Sequence, residues 1–322
     1  MASEVRGCRF LPALICMLAG FITTSCFTGI ESTKKVELGR EERRMTQPTE
    51  EEKFFQLERQ SIKEWEPGRE YLATDDRLAY VMDIKDRNPG ESISLRGKIL
   101  RFVSADNTLM PDQSKEASIV FECEGRRMVY PTGKDYIKAI ESFSSLDLPM
   151  MIDLKMVEEA DRKLRGLQLW TKSPIWYDGD STRIKGRKFV AVDVTRVTPG
   201  ETTFPLRVYF RDSSGKESFM LMNIGNGGHD SRSFSNLFSL SDIRKQYPKI
   251  TDGVWEKICA ATVVPGMTKE ECKLALGNPT DVNSGHSYSQ TLDIWSYPDG
   301  KVLRFADGLL VDFGIRGPGN TP

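Results

Sequence analysis

Histidine is almost missing from the 322-residue chain. Its two copies, His229 and His286, stand in no metal-ligand spacing such as HExxH and beside no cysteine pair. A zinc enzyme is therefore not expected. No GxSxG elbow occurs, and a Cys/His nucleophile pair would have to be assembled without a supporting local motif. Charge of one sign is also missing: 45 Lys+Arg stand against 46 Asp+Glu, a net charge of −1. No basic stripe with interleaved aromatics offsets that balance, so nucleic acid is not an expected partner. Of the six cysteines, three lie within the first 26 residues, which leaves Cys123, Cys259 and Cys272, too few for a disulfide scaffold. Beyond the N-terminal apolar run, no stretch reaches the roughly 20 apolar residues of a spanning helix.

What is present begins at the N-terminus. Arg6 and Arg9 precede an apolar run from Phe10 to about Thr24, the layout of a secretory signal. The run is short for a transmembrane anchor, and Pro12 lies near its start. Ile22-Thr23-Thr24-Ser25-Cys26 resembles a bacterial lipobox, in which the cysteine receives diacylglycerol and becomes the new N-terminus. That resemblance makes residues 1–25 a signal peptide, Cys26 the lipidation site and the membrane a partner through the acylated N-terminus. An ordinary signal cleaved near Ser25 is the competing reading. Phe27 follows the cysteine, with no acidic retention residue, so the sorting rules of double-membraned bacteria point to the outer membrane.

Residues 26–66 are dense in charge and read as a solvated tether. They end in a short helix capped by Thr49 before Glu50 to Glu52 and stopped at Pro67-Gly68, with Phe54, Leu57, Ser61 and Trp65 along one face. From 67 to 243 short β-prone runs alternate with turns: Ser92 to Leu95, Ile99 to Val103, Ser118 to Phe121, Phe189 to Val194, Leu206 to Phe210 and Ser218 to Met222. Gly68 before Tyr71-Leu72 is matched by Gly166 before Leu169-Trp170. The turn Leu95 to Lys98 is matched by Ile184 to Arg187, and Ile119-Val120-Phe121 by Val208-Tyr209-Phe210. These matches suggest two duplicated, barrel-like β units, 67–150 and 151–243, with a helical connector near Asp153 to Leu164. Chance likeness of short strands is the alternative.

Residues 244–322 carry the strongest signal. Thr268 and Glu271 form a capping box, Cys272, Ala275 and Leu276 an inward stripe, and Gly277 and Pro279 a stop. A preceding helix is expected over Asp252 to Cys259. Three strands separated by Asp-Gly turns should follow, at Asp293 to Tyr297, Lys301 to Phe305 and Leu309 to Phe313. The expected fold class is thus α+β, two β-rich units followed by a two-layer ααβββ module. Cys259 and Cys272, at the end of one helix and the inner face of the next, are a candidate disulfide, with separate core thiols as the alternative.

The order of elements, with Gly266-Met267-Thr268, Leu276-Gly277-Asn278-Pro279, Trp295-x-Tyr297 and Leu303-x-Phe305-x-x-Gly308-x-Leu310, resembles the SmpA/OmlA/BamE family of outer-membrane lipoproteins over about residues 252–313. The resemblance implies a non-catalytic role in envelope assembly or integrity, with an unidentified envelope protein as partner. No catalytic residue, metal ligand set or cofactor is expected. Three weaker motifs have bland readings: Gly225 to His229 as a flexible turn, Asp178-Gly179-Asp180 as a turn rather than a calcium loop, and Asp75-Asp76 as surface carboxylates. Trp170, Trp176 and Tyr177 are a candidate sugar platform against a core-packing alternative. An exported carbohydrate-binding or hydrolytic lipoprotein is accordingly the second functional class.

Overall fold

The computed structural model describes residues 48–109, 115–225, 232–287 and 290–315. Thr49 is the expected cap and closes a full capping box with Glu52, through N–H donations of 2.9 and 3.2 Å. Helix α1, Glu50–Phe54, nevertheless ends after five residues. The cause is the pair of cores that follow: Phe55 and Leu57 are buried in one, Ile62 and Trp65 in the other. One helical stripe cannot face two bodies, so the chain extends between them, with a single 3-10 turn at Ile62–Glu64. Residues 55–65 are therefore a packed strap, which corrects the expectation of one short helix running on to Pro67-Gly68.

The first unit comprises β1 (Glu70–Ala73), α2 (Leu78–Val81), β2 (Asp83–Ile84), β3 (Ile99–Leu109), β4 (Lys115–Cys123), β5 (Arg126–Asp135), α3 (Tyr136–Ser142) and β6 (Met151–Asp153). Its strands lie in the order β2-β5-β4-β3-β1-β6. Alternation turns Leu100, Phe102, Ile119, Phe121 and Met128 toward Tyr71 and Leu78 in the core. Ser92 to Leu95, expected as a strand, is a loop. The Asp76 carboxylate accepts from Ser94 Oγ and from the Leu95 and Arg96 amides at 2.8–2.9 Å, a local alternative to ladder pairing.

The second unit opens with α4 (Leu154–Leu164), capped by Asp153 and burying Met156, Val157, Ala160 and Leu164. It continues through β7 (Gln168–Thr171), β8 (Ile175–Tyr177), β9 (Arg183–Lys185), β10 (Ala191–Pro199), β11 (Leu206–Arg211), β12 (Glu217–Met222), α5 (Phe234–Leu237) and β13 (Phe238–Ser239). The order is β13-β7-β10-β11-β12-β8-β9. Apart from the added β9, it reproduces the first sheet strand for strand, with β1, β2, β3, β4, β5 and β6 answering to β7, β8, β10, β11, β12 and β13.

The agreement extends to single hydrogen bonds. Gly68 N–H donates to Phe102 O at 2.7 Å and Gly166 N–H to Val194 O at 2.8 Å. The register shifts between Phe102 and Ser104 in one sheet and between Val194 and Arg196 in the other. Gly97 N–H bonds Ala73 O, and Phe189 N–H bonds Thr171 O. Gly97 therefore corresponds to Phe189, three residues beyond the Gly186 suggested by sequence.

The last unit pairs α6 (Asp252–Cys259) and α7 (Lys269–Leu276) with β14 (Asp281–Ser287), β15 (Gln290–Ser296), β16 (Lys301–Ala306) and β17 (Leu309–Ile315), a four-stranded meander. It has one strand more than the expected three, because β14 carries too few apolar residues to stand out. Every strand pairing is antiparallel, and the fold is α+β. The barrel-like closure expected of the β units is absent: strands of two or three residues, β2 and β6 in one sheet and β13 and β9 in the other, leave each sheet open.

Candidate functional site

The C-terminal unit presents two surfaces, one spent on the neighbouring β unit and one open. The spent surface grips Arg187-Lys188-Phe189. Lys188 N–H donates to Cys259 O at 2.8 Å, and its Nζ donates to Ala275 O at 3.1 Å and to Leu274 O. A cation is thereby placed on the orphan carbonyls at the C-terminus of α7, where the helix dipole favours it. Burial pushes the Lys188 ammonium down to about 8, with the neighbouring Cys259 thiol opposing. Phe189 holds a positive φ of 55°, an unfavourable state for an aromatic residue. Its ring stacks on Trp255 at 5.6 Å, and Arg187 pairs with Glu256 at 2.5 Å.

Inside the unit, the Gly266-Met267-Thr268 motif does structural work. Gly266 N–H donates to Leu310 O and Met267 O accepts from Leu310 N–H, both at 2.7 Å, so the motif occupies part of the β17 edge. Thr268 and Glu271 form the expected capping box, and Gly277 ends α7 with φ 90°. Asp293, buried in β15, pairs with Lys269 at 2.5 Å, tying α7 to the sheet.

The open surface is the outward side of the meander. Trp295, Leu303, Phe305 and Leu310 face the helices. The register then places Leu292, Ile294 and Leu309 on the other side, around an Arg304–Asp312 ion pair. These three are 38–47 % exposed. An exposed apolar strip is the kind of surface from which interaction faces are built.

Cys26 lies outside the described residues, as do Asn226 to His229 and the side chain of His286. Cys259 and Cys272 are buried and free. The disulfide is not formed, because Cys259 faces Arg187 and Lys188 of the second unit whereas Cys272 faces Tyr297 of the sheet. Burial raises both thiols, Cys272 to about 12. Trp176 is core, edge-on to Phe210 at 5.0 Å, and Tyr177 stacks on Phe219, while Trp170 is half-buried on β7, so Trp176 is spent on packing. Asp178 Oδ1 accepts from the Asp180 and Thr182 amides in a turn. Asp75 is held to about 2 by hydrogen bonds from Arg77. Among the described residues no group of His, Cys, Asp and Glu is arranged to hold a metal, and no helix is long and apolar enough to cross a membrane. Sequence reasoning missed Lys188 and Phe189, whose partners lie some 70 to 90 positions downstream and leave no local pattern. No family model, curated protein or solved structure matches the chain.

Proposed function

We propose that this chain is an envelope lipoprotein, anchored through acylated Cys26 to the outer membrane, that serves without catalysis as a docking factor in envelope assembly or integrity. The observation that carries the reading is the apolar outer side of the C-terminal sheet: Leu292, Ile294 and Leu309 are exposed although the opposite side already closes a complete core. The lipobox supports the anchor, and two short helices followed by an antiparallel meander support an SmpA/OmlA/BamE-like module. The matching strand orders support descent of the two β units from one duplicated unit. The partner is an envelope protein with an apolar contact face, not nucleic acid.

Removing the whole C-terminal unit would strip the cover from Phe189 and Lys188, so substitutions on the open sheet test the reading more cleanly. Ile294→Asp with Leu292→Asp should raise detergent sensitivity of the envelope at an unchanged melting temperature. Cys26→Ala should release the protein from the membrane fraction. Wild-type envelope integrity in the double variant, or wild-type fractionation of Cys26→Ala with intact signal cleavage, would overturn the corresponding half of the proposal.

A further inference from the structure

Between the two β units lies a cleft of about 490 Å3 lined by Arg77, Arg96 and Arg207, with Thr74 and Thr202 in the same lining. Asp75 fixes Arg77 through its Nε at 3.0 Å and Nη2 at 2.7 Å. Asp75 and Asp76 stand near Arg96, and Asp76 accepts from its amide at 2.9 Å, but among the described residues neither the Arg96 nor the Arg207 guanidinium forms an ion pair. Glu201 also lines the cleft and pairs with none of the three arginines. The Nε of Arg207 is buried without a hydrogen-bond partner, while its guanidinium is held 5.4 Å over the Phe219 ring. A buried charged donor left unmet is costly. Thr74 and Thr202 touch through their hydroxyls at 2.5 Å, joining the two units at the cleft.

The second unit shows what this position is built to do. Arg96 precedes Gly97 as Lys188 precedes Phe189, and Gly97 and Phe189 make the same hydrogen bond to β1 and β7, both with positive φ. In the second unit that cation is buried on two carbonyl oxygens, of Leu274 and Ala275. In the first unit the corresponding cation faces the cleft. We infer that the cleft between the β units is a binding site for a phosphate group, with Arg96 and Arg207 as its principal donors and Arg77 and Thr202 completing the shell. Guanidinium forks match phosphate oxygens two at a time. Three guanidiniums with hydroxyls supply more donors than the two oxygens of a carboxylate accept. The site lies apart from the C-terminal sheet and does not depend on the docking role proposed for it.

Isothermal titration of the full chain with inorganic phosphate, with acetate, and with dihexanoylphosphatidylglycerol below its micelle concentration tests the inference. Phosphate should bind, and Arg96→Gln combined with Arg207→Gln should weaken it by at least about ten-fold, whereas Arg304→Gln on the C-terminal sheet should leave it unchanged. Arg96 is exposed and makes no side-chain contact that folding needs, so the Arg96→Gln variant alone keeps the test valid if the double variant unfolds. Arginine-dependent binding of the short-chain lipid that phosphate displaces identifies a headgroup as the source; binding of phosphate alone identifies a soluble phosphate ester. Equal affinity in wild type and Arg96→Gln, or acetate bound as tightly as phosphate, overturns the site.

Discussion

At Gly186 an added β-carbon would stand 2.1 Å from Cδ2 of Trp176. The indole is pinned from behind by Phe210 and by its own Nε1 donation to Ser173 O at 3.0 Å, so it cannot retreat. Gly186→Ala should lose about 1–3 kcal/mol in urea unfolding followed by tryptophan fluorescence. Asp153 makes a larger claim. It caps α4 through the Lys155 amide at 3.1 Å and neutralises buried Arg69; Asp153→Ala should cost about 3–5 kcal/mol, because an uncompensated guanidinium remains inside. Replacing both partners by apolar residues should cost much less. Lys188 gives a pH signature. Its folded-state value of about 8 lies below the 10.5 of a free lysine, so between these limits the unfolded chain holds more protons and stability rises with pH. The slope is on the order of 1 kcal/mol per pH unit at most. Urea midpoints of wild type relative to Lys188→Met should increase between pH 8 and 10; a flat difference would show that the ammonium is not desolvated.

Helix α7 is the element whose limits are most plainly written in the chain, and its cap offers a contained test. Glu271→Ala removes the acceptor for Thr268 N–H, a bond of 2.7 Å, and should cost about 1 kcal/mol without altering the circular dichroism of the folded state. The same local chemistry made α4, α6 and the strands β3, β4, β10, β11 and β12 legible, since caps and period-2 alternation act within a few residues. Non-local effects were not legible. Ser92 to Leu95 alternates like a strand, yet Asp76 captures the Ser94 hydroxyl and the Leu95 and Arg96 amides from 18 to 20 positions away. The Phe54 to Trp65 stripe reads as one helix, yet its two ends belong to different cores. Phe189 looks like the start of β10, and only Trp255 explains why an aromatic residue takes the place that Gly97 fills in the first unit.

The three units are held in sequence by turns of one kind. Gly97 borders the cleft toward the loop at Thr202 of the second unit, and Phe189 seats the C-terminal unit. Cys123, Cys259 and Cys272 lie one in the first core and two in the last. All three are buried, and burial raises each thiol, Cys272 to about 12. Under native conditions they should resist a maleimide reagent, and in denaturant without reductant they should label as three thiols by mass spectrometry. Labelling of Cys123 alone would indicate a bridge between the other two. The strap carries a consequence for the order of synthesis. Phe55 stacks on Phe234 at 5.1 Å, so the first core side chain of the described residues to emerge from the ribosome waits for a partner that emerges near the end of the second unit. The first sheet can close as soon as β6 is made, but its N-terminal neighbour stays sticky through the synthesis of α4 and β7 to β12. A nascent chain of this design gains from being kept unfolded until the second unit is complete.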